Sequence, residues 1–422
     1  MKLESLKLTN FRGFRELEIS FDPQFTVLLG GNMAGKTAVL DGAAVACSPL
    51  VETLGPQASR NILDDEVHRV VRDLGGVPDL QYQLPVSVEA GGIVLGFPLT
   101  WTVAREENET YSSNRGSLTR AFKVKAEDDA AVALPVIAFY GTQRGWRGKV
   151  VEDRRGVGSR YDGYAGCFDI ASTHGQLAGW MRKQTLVQLQ RGGAYVQPQL
   201  AAVEAAVKSC IDAVTRFWFD VQYDELRLER VGGDIQSFAM LSEGYRNMVA
   251  MITDIAWRAS VLNPHHGREA HLKTEGVVLI DELDLHLHPA WQRRVVADLR
   301  RTFPNIQFIV TTHSPQIVAS VARHQIRVLD HNRLVAEKPH VEGRDSNEIL
   351  EDVFGVPRRP ELVQVELDAL YRLIEDEDYA GARSRLAVLE ERLGPEDAAM
   401  IKARWTLETE DPLPSSEPSP SP

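Results

Sequence analysis

The stretch Gly30-Gly31-Asn32-Met33-Ala34-Gly35-Lys36-Thr37 has the spacing G-x-x-x-x-G-K-[ST], a pattern suited to holding phosphate. Glycines let backbone N–H groups curl around phosphate oxygens at a helix N-terminus, the lysine reaches the β- and γ-phosphates, and the hydroxyl joins the shell of a Mg²⁺ ion. By chance such a pattern appears in a chain of this length on the order of 1–2% of the time. Here it also follows an apolar run, Phe25 to Leu29, and precedes a helix-like one. Gly30, Asn32, Ala34, Gly35, Lys36, Thr37 and Ala38 are therefore the candidate contacts to ATP, with Thr37 also a metal ligand.

A second set of groups suits hydrolysis. Four apolar residues, Val277 to Ile280, lead into Asp281 and Glu282. Carboxylates at the end of a buried strand fit a metal-holding Asp281 and a Glu282 that polarises the attacking water as general base. Further on, Phe308-Ile309-Val310-Thr311-Thr312 runs into His313, read as a γ-phosphate sensor. Gln143, after the apolar run ending at Tyr140, is placed to meet Mg²⁺ and the attacking water, with its neighbour Arg144 as the alternative.

One stretch stands apart. Leu241-Ser242-Glu243-Gly244 opens an amphipathic run, so a small hydroxyl and a glycine sit at a helix start that suits an anion. His286 and His288 lie two apart just before Pro289, where a helix start and a structural role fit better than zinc. His265-His266 falls in a loop with Pro264 and Gly267, and no Ser/His/Asp or Cys/His set stands out.

These residues need elements to position them. Alternation on either side of Asn10-Phe11-Arg12-Gly13 predicts two antiparallel strands around a turn. Apolar runs before Gly30, Gly141, Asp281 and His313 alternate with helical patterns, which implies a mainly parallel sheet with helices packed on it. Between the glycine-rich loop and Leu241 lies an insertion, about 50–220, read as irregular with two strand-like stretches and then helices near 174–191 and 197–217. The segment from Arg147 to Gly166 is rich in Arg and Gly and reads as a surface loop. Residues 1–345 then form one α/β head, 346–410 a helical region containing a hairpin, and the Pro/Ser-rich 411–422 a disordered tail.

Composition sets outer bounds. The 422 residues are 43% hydrophobic and 25% charged, with 47 Lys and Arg against 59 Asp and Glu for a net charge of −12. Nothing overall marks a nucleic-acid binder, although a local basic face is compatible with that average. Cys47, Cys167 and Cys210 lack C-x-x-C spacing, which argues for a reducing compartment. No signal-like start or bilayer-length apolar run is present, so a cytoplasmic chain with no membrane of its own is expected.

Taken together, NFRGF, GGNMAGKT, YGTQR, LSEGYRN, VVLIDELDLHLHP and TTHSP resemble the ABC-type P-loop ATPase heads of the SMC/RecF/OLD group, across roughly residues 1–45 and 135–335. The resemblance implies that Ser242 and Gly244 form a signature touching the γ-phosphate held by a second subunit. It also implies that Asp284 belongs to a loop crossing that interface and that Arg12 lies beside the nucleotide. A homodimer closed around ATP follows, open to higher assembly. The insertion lacks the sustained heptads of an SMC arm, and the chain after about 345 is too helical for the nuclease half of OLD proteins.

The loop YDGYAGCFD, the stretch GRDSNEILEDVFGVPRRPE and the closing helices resemble ATP-binding proteins that include the ATPase of Septu-type anti-phage systems. Those pair with a separately encoded HNH nuclease, so a regulator of such a partner is the leading expectation. The alternative is a RecF-like DNA-repair or clamp head without a nuclease. Arg154, Arg155, Arg160, Arg358 and Arg359 are candidate contacts to nucleic-acid phosphates or a partner, or else ordinary exposed arginines.

Overall fold

The computed structural model describes residues 1–54, 59–73, 75, 77–107, 111–113, 132–143, 159–169, 174–192 and 195–411. The expectations for Arg144, Arg154, Arg155 and nearly all of the tail lie outside them. The chain forms two compact units, Met1–Ile349 and Leu350–Pro422.

The first unit is built on a parallel sheet. Val136–Tyr140, Gly276–Ile280, Ile306–Thr311, Phe25–Leu29 and Ile326–Asp330 lie side by side in that order, and Arg333–Leu334 closes the far edge antiparallel. The strands Phe25–Leu29, Gly276–Ile280 and Ile306–Thr311 are buried at every position. Such burial is why they read as unbroken apolar runs rather than alternating ones. Parallel pairing also sends the loops after Leu29, Tyr140, Ile280 and Thr311 out along one edge, where ligands of open α/β sheets gather.

A second, antiparallel sheet has the order Phe14–Ser20, Lys2–Phe11, Val86–Val94, Phe97–Arg105, Tyr111–Ser113. Helix Lys36–Leu54 touches strands of both sheets and is buried almost all round from Ala38 to Val51. A helix apolar on every side must be covered on every side, and Ala43, Ala44 and Ala46 permit the close approach. Trp101 of the antiparallel sheet donates its indole N–H to the Ala46 carbonyl at 2.8 Å.

The strand-like stretches expected in the insertion ahead of its helices are strands in the structure. Val86–Val94 pairs along Lys2–Phe11 and with Phe97–Arg105, and a hairpin of Arg69–Asp73 and Pro78–Tyr82 precedes it. What a local window does not show is the partner, the N-terminal strand, whose pairing carries this segment into the antiparallel sheet. The helices His174–Gln190 and Pro198–Cys210 follow. The second stops at Cys210 rather than near 217, because the aromatic and β-branched run Val214–Asp220 forms a strand with Glu225–Arg230.

The 20-residue helix Glu243–Leu262 comes next and packs against the edge strand Val136–Tyr140. Arg160–Tyr164, expected to be surface loop, is a 3-10 turn with Gly163 and Tyr164 buried beside that helix. Ile326–Asp330 and Arg333–Leu334 form the closing hairpin, turning on His331 and Asn332, which both take positive φ as a tight two-residue turn requires.

The second unit contains the expected helical hairpin and adds a third helix to it. Glu361–Glu375 and Tyr379–Leu393 are joined by Ala398–Glu410, which adds Met400, Ala403 and Leu407 to a core containing Leu370 and Leu386. Two amphipathic helices alone would leave that apolar stripe wet. Among the described residues, no helix is long and apolar enough to cross a membrane.

Candidate functional site

Between strand Phe25–Leu29 and helix Lys36–Leu54 the chain makes a tight loop whose shape depends on glycine. Gly30 and Gly35 have φ of 149° and 96°. A Cβ at Gly30 would lie 2.2 Å from the Leu329 carbonyl oxygen, and one at Gly35 would lie 2.4 Å from Phe14 Cζ. Gly31 faces open space, and Met33 is 94% exposed with positive φ. Asn32 is exposed while Ala34 and Ala38 are buried.

Lys36 folds back into this loop, its ammonium donating to the Gly30 and Gly31 carbonyls at 2.8 and 2.9 Å. Burial lowers its pKa, against the opposing pull of Asp281, Glu282 and Asp284. The three carboxylates thus lie close enough to act on the lysine although they are more than 240 residues away in sequence.

The next residue joins the two halves of the site. Thr37 Oγ1 donates to Asp281 Oδ2 at 3.0 Å. On its other oxygen Asp281 accepts from Thr311 Oγ1 at 2.6 Å, and Thr311 Oγ1 in turn accepts from the Glu282 backbone N–H at 2.7 Å. Glu282 has φ of 51°, a left-handed conformation that costs a non-glycine residue energy and is often found at reactive positions. The Leu283 N–H donates to the Thr311 carbonyl at 2.9 Å, which holds the turn from both sides.

Thr312 does for Asp284 what Thr311 does for Asp281. Its hydroxyl donates to Asp284 Oδ1 at 2.5 Å, and the His313 N–H donates to the same oxygen at 3.2 Å. His313 therefore sits on the same loop edge as the acidic pair. Gln143 is exposed in the turn three residues beyond Tyr140, and Tyr140 is paired beside Ile280 with its carbonyl accepting the Asp281 N–H at 2.8 Å. The structure thus brings Lys36, Thr37, Asp281, Glu282, Asp284 and His313 together and sends Gln143 out along the same edge.

Arg12 is differently engaged. Its guanidinium pairs with Asp41, one turn beyond Thr37, at 2.9 Å and with the fully buried Glu66 at 3.1 Å. Arg60 pairs with the same two carboxylates. The turn carrying Arg12 is thereby locked to the helix that begins at Lys36.

Ser242 and Gly244 stand at the start of helix Glu243–Leu262. Ser242 is exposed, and its hydroxyl makes no capping bond to the helix that it precedes. Gly244 is packed so closely that a Cβ there would lie 1.9 Å from the His286 carbonyl oxygen. His286 has φ of 62°, Nε2 3.8 Å from Glu243 Oε1, and His288 caps the helix Pro289–Gln292 by accepting from the Ala290 N–H at 3.2 Å. Tyr245 stacks on Trp291 with ring centroids 4.6 Å apart. The helix tip is therefore seated on the loop following Asp284.

Three of the proposed surface arginines are occupied within the chain. Arg160 donates to the carbonyls of Leu262 and Val132, at 2.9 and 2.6 Å, which makes it a structural clasp. Arg358 pairs with Glu351 at 2.7 Å and Arg359 with Asp397 at 2.8 Å.

Sequence reading missed Thr311, Thr312 and Asn332. The threonines' place, at the end of a buried strand just before His313, was the available signal. For Asn332 there was none: its side chain fills the space that a Cβ at Gly13 or Gly35 would enter, at 2.7 and 3.0 Å from its Oδ1.

A family described as "AAA ATPase domain" matches residues 1–42, and one described as "AAA domain, putative AbiEii toxin, Type IV TA system" matches 206–319. The "Retron Ec83 probable ATPase" of Escherichia coli is 37% identical over 198 residues, covering 44% of this chain and 36% of that protein. The "Retron Vc95 probable ATPase" of Vibrio cholerae is 22% identical over 386 residues, covering 78% of this chain and 74% of that one. The Septu protein PtuA of Bacillus mycoides is 34% identical over 129 residues, 30% of this chain and 17% of its own length. The chain therefore spans well under two thirds of the Escherichia coli and Bacillus proteins.

Among solved structures, an SMC head bound to the C-terminal winged-helix domain of ScpA aligns with a TM-score of 0.50 at 14% identity, covering 81% of this chain and 99% of that one. At that identity the likeness concerns the fold. With its parallel core, glycine-rich loop and facing carboxylates, the chain has the fold of an SMC head carrying a P-loop, and it is similar in sequence to the probable ATPases of two retrons and to the Septu protein PtuA.

Proposed function

We propose that the chain binds ATP with Mg²⁺ in the loop Gly30–Thr37 and hydrolyses it between two copies of itself, as the regulatory subunit of an anti-phage system that acts through a separately encoded nuclease of the HNH type. The observation that carries the nucleotide reading is the Thr37–Asp281 contact, 3.0 Å across 244 residues of sequence. Hydroxyl and carboxylate oxygens are the donor set that Mg²⁺ prefers, and the lysine beside them rests on loop carbonyls that a phosphate would replace as partner.

In this reading the backbone amides of Asn32, Ala34, Gly35 and Ala38 join Lys36 in cradling the phosphates, with Arg12 bracing the loop beside them. Thr37 and Asp281 hold the Mg²⁺ ion with help from Gln143. The bound ion supplies charge neutralisation on the phosphate oxygens. Glu282 takes a proton from the attacking water, and His313 and Gln143 orient that water and the γ-phosphate. Water adds to the γ-phosphorus as the bond to the β-phosphate oxygen breaks, leaving ADP and phosphate.

Ser242, Gly244 and Asp284 complete the pocket of the second copy. Supporting this, the Ser242 hydroxyl is exposed and uncommitted at the tip of a 20-residue helix, a setting suited to an anion. The nuclease partner is supported by the similarity to PtuA of a Septu system.

The test combines assembly and partnership. Glu282→Gln protein with ATP is expected to run as a dimer on sizing chromatography while the apo form does not, and co-expression with neighbouring genes is expected to yield a nuclease complex. A monomer under saturating ATP removes the sandwich. Co-purification of no nuclease, together with ATP-dependent retention on DNA, moves the chain to the DNA-clamp class.

A further inference from the structure

Three side chains outside the nucleotide site form a cluster that the chemistry above does not use. Arg258 and Asp254 lie one turn apart on helix Glu243–Leu262, with side chains 0% and 1% exposed, and pair at 2.8 Å. Tyr140, the last residue of the edge strand, donates its hydroxyl to the same Asp254 oxygen at 2.7 Å. Arg258 extends to the carbonyls of Gly163 and Ala165 at 2.9 and 3.1 Å, and Tyr164 donates its hydroxyl to the Pro135 carbonyl at 2.8 Å. Burial, and then the Asp254 charge, hold the Tyr140 hydroxyl well above its ordinary pKa, so it donates as a neutral phenol.

As a stabilising device this cluster is poor. Removing two charges from water costs more than their attraction returns unless every polar atom is satisfied. Asp254 Oδ1 and Arg258 Nη2 make no hydrogen bond among the described residues. What the cluster does accomplish is geometric. The helix it grips begins at the signature, with Gly244 ten residues before Asp254, or roughly 15 Å along the axis. The strand it grips ends at Tyr140, whose carbonyl accepts the Asp281 N–H at 2.8 Å and whose chain continues to Gln143.

We propose that Tyr140, Asp254 and Arg258 are positioning residues for ATP turnover. They tie the shaft of the signature helix to the strand end supporting Asp281 and Gln143, so that a phosphate engaged by the helix tip of one copy sets the geometry of that copy's own hydrolytic site. This rests on the trans-acting signature proposed above. It adds a route by which the two pockets of a dimer report to one another.

Tyr140→Phe tests it, since only one hydroxyl is lost. The expected result is a modestly lower melting temperature, as the loss of one buried hydrogen bond requires, and an ATP KM within about twofold of the parent, with kcat at a temperature well below unfolding reduced about tenfold, as for a small misplacement of reacting groups. Combined with Asp254→Asn, the two losses in kcat should be markedly less than additive, as for residues acting in one unit. Parental kcat in Tyr140→Phe overturns the proposal, and so does a kcat loss that merely follows a fall in melting temperature. Arg258→Lys, which keeps the charge, should retain more turnover than Arg258→Met, and the reverse order also counts against it. Ser242→Arg assayed in parallel separates the claims. Full turnover in Ser242→Arg overturns the trans signature and this proposal with it, whereas lost turnover there beside parental Tyr140→Phe overturns the cluster's role alone.

Discussion

Thr311 Oγ1 stands between the two acidic residues of the site, donating to Asp281 Oδ1 at 2.6 Å and accepting from the Glu282 N–H at 2.7 Å. A single buried hydroxyl thus orients the carboxylate proposed to hold the metal and pins the left-handed backbone of the proposed base. Thr311→Val keeps the shape and removes both bonds. Loss of buried hydrogen bonds of this kind costs about 1–3 kcal/mol, so the melting temperature should fall modestly while kcat falls much further. Parental kcat in a folded Thr311→Val protein would show that the hydroxyl only supports the strand.

Lys36→Ala removes the cation folded onto the Gly30 and Gly31 carbonyls. A charge-assisted contact to phosphate is worth about 1.5–3 kcal/mol, which corresponds to at least a tenfold loss of ATP affinity by calorimetry. Normal affinity in this variant would refute the phosphate-loop assignment.

Glu282→Gln keeps the size and removes the proposed base. ATP should still bind, with hydrolysis down on the order of 100-fold or more, the range attributed to general-base action. Unchanged turnover in a phosphate-release assay would remove Glu282 from that role.

Gly244→Ala places a Cβ where the His286 carbonyl oxygen lies 1.9 Å away. Backbone cannot yield as a flexible side chain does, so the helix tip must shift, and overpacking of this sort costs about 1–3 kcal/mol. Turnover should fall while ATP binding to the isolated subunit persists. Equal loss of binding and turnover would contradict a signature that acts on another copy.

The three cysteines give a pH signature. Burial pushes the thiols of Cys47, Cys167 and Cys210 from an ordinary 9.0 up to about 12. The unfolded chain therefore loses these protons first as pH rises. The stability that they contribute is complete below pH 9 and drains away between 9 and about 12. Urea titrations across that window should show the decline, and Cys47→Ala should flatten it. The same burial predicts negligible labelling by thiol reagents in the native state. Rapid native labelling would show that the thiols are accessible.

How much of this was legible beforehand follows the range of the forces involved. The phosphate loop could be read directly, because Gly30, Gly35, Lys36 and Thr37 act through local backbone geometry within one turn. Burial on both faces left the central strands as apolar runs, so Asp281, Glu282 and His313 could be placed at strand ends from the sequence. Long-range pairing left no such mark. Nothing near Val86–Val94 announced its partner Lys2–Phe11, and nothing near Arg12 announced Asp41 and Glu66.

The sequence alone determined which chemical groups this protein carries and which loops present them, since residue type and short spacing specify both. The tertiary structure alone decided which groups meet. It put Thr37 on Asp281, Thr311 between Asp281 and Glu282, Gly244 against His286, and Tyr140 on Asp254. Each is a contact of a few ångströms between residues distant in the chain or in separate elements, fixed by sheet order and helix packing rather than by any local preference.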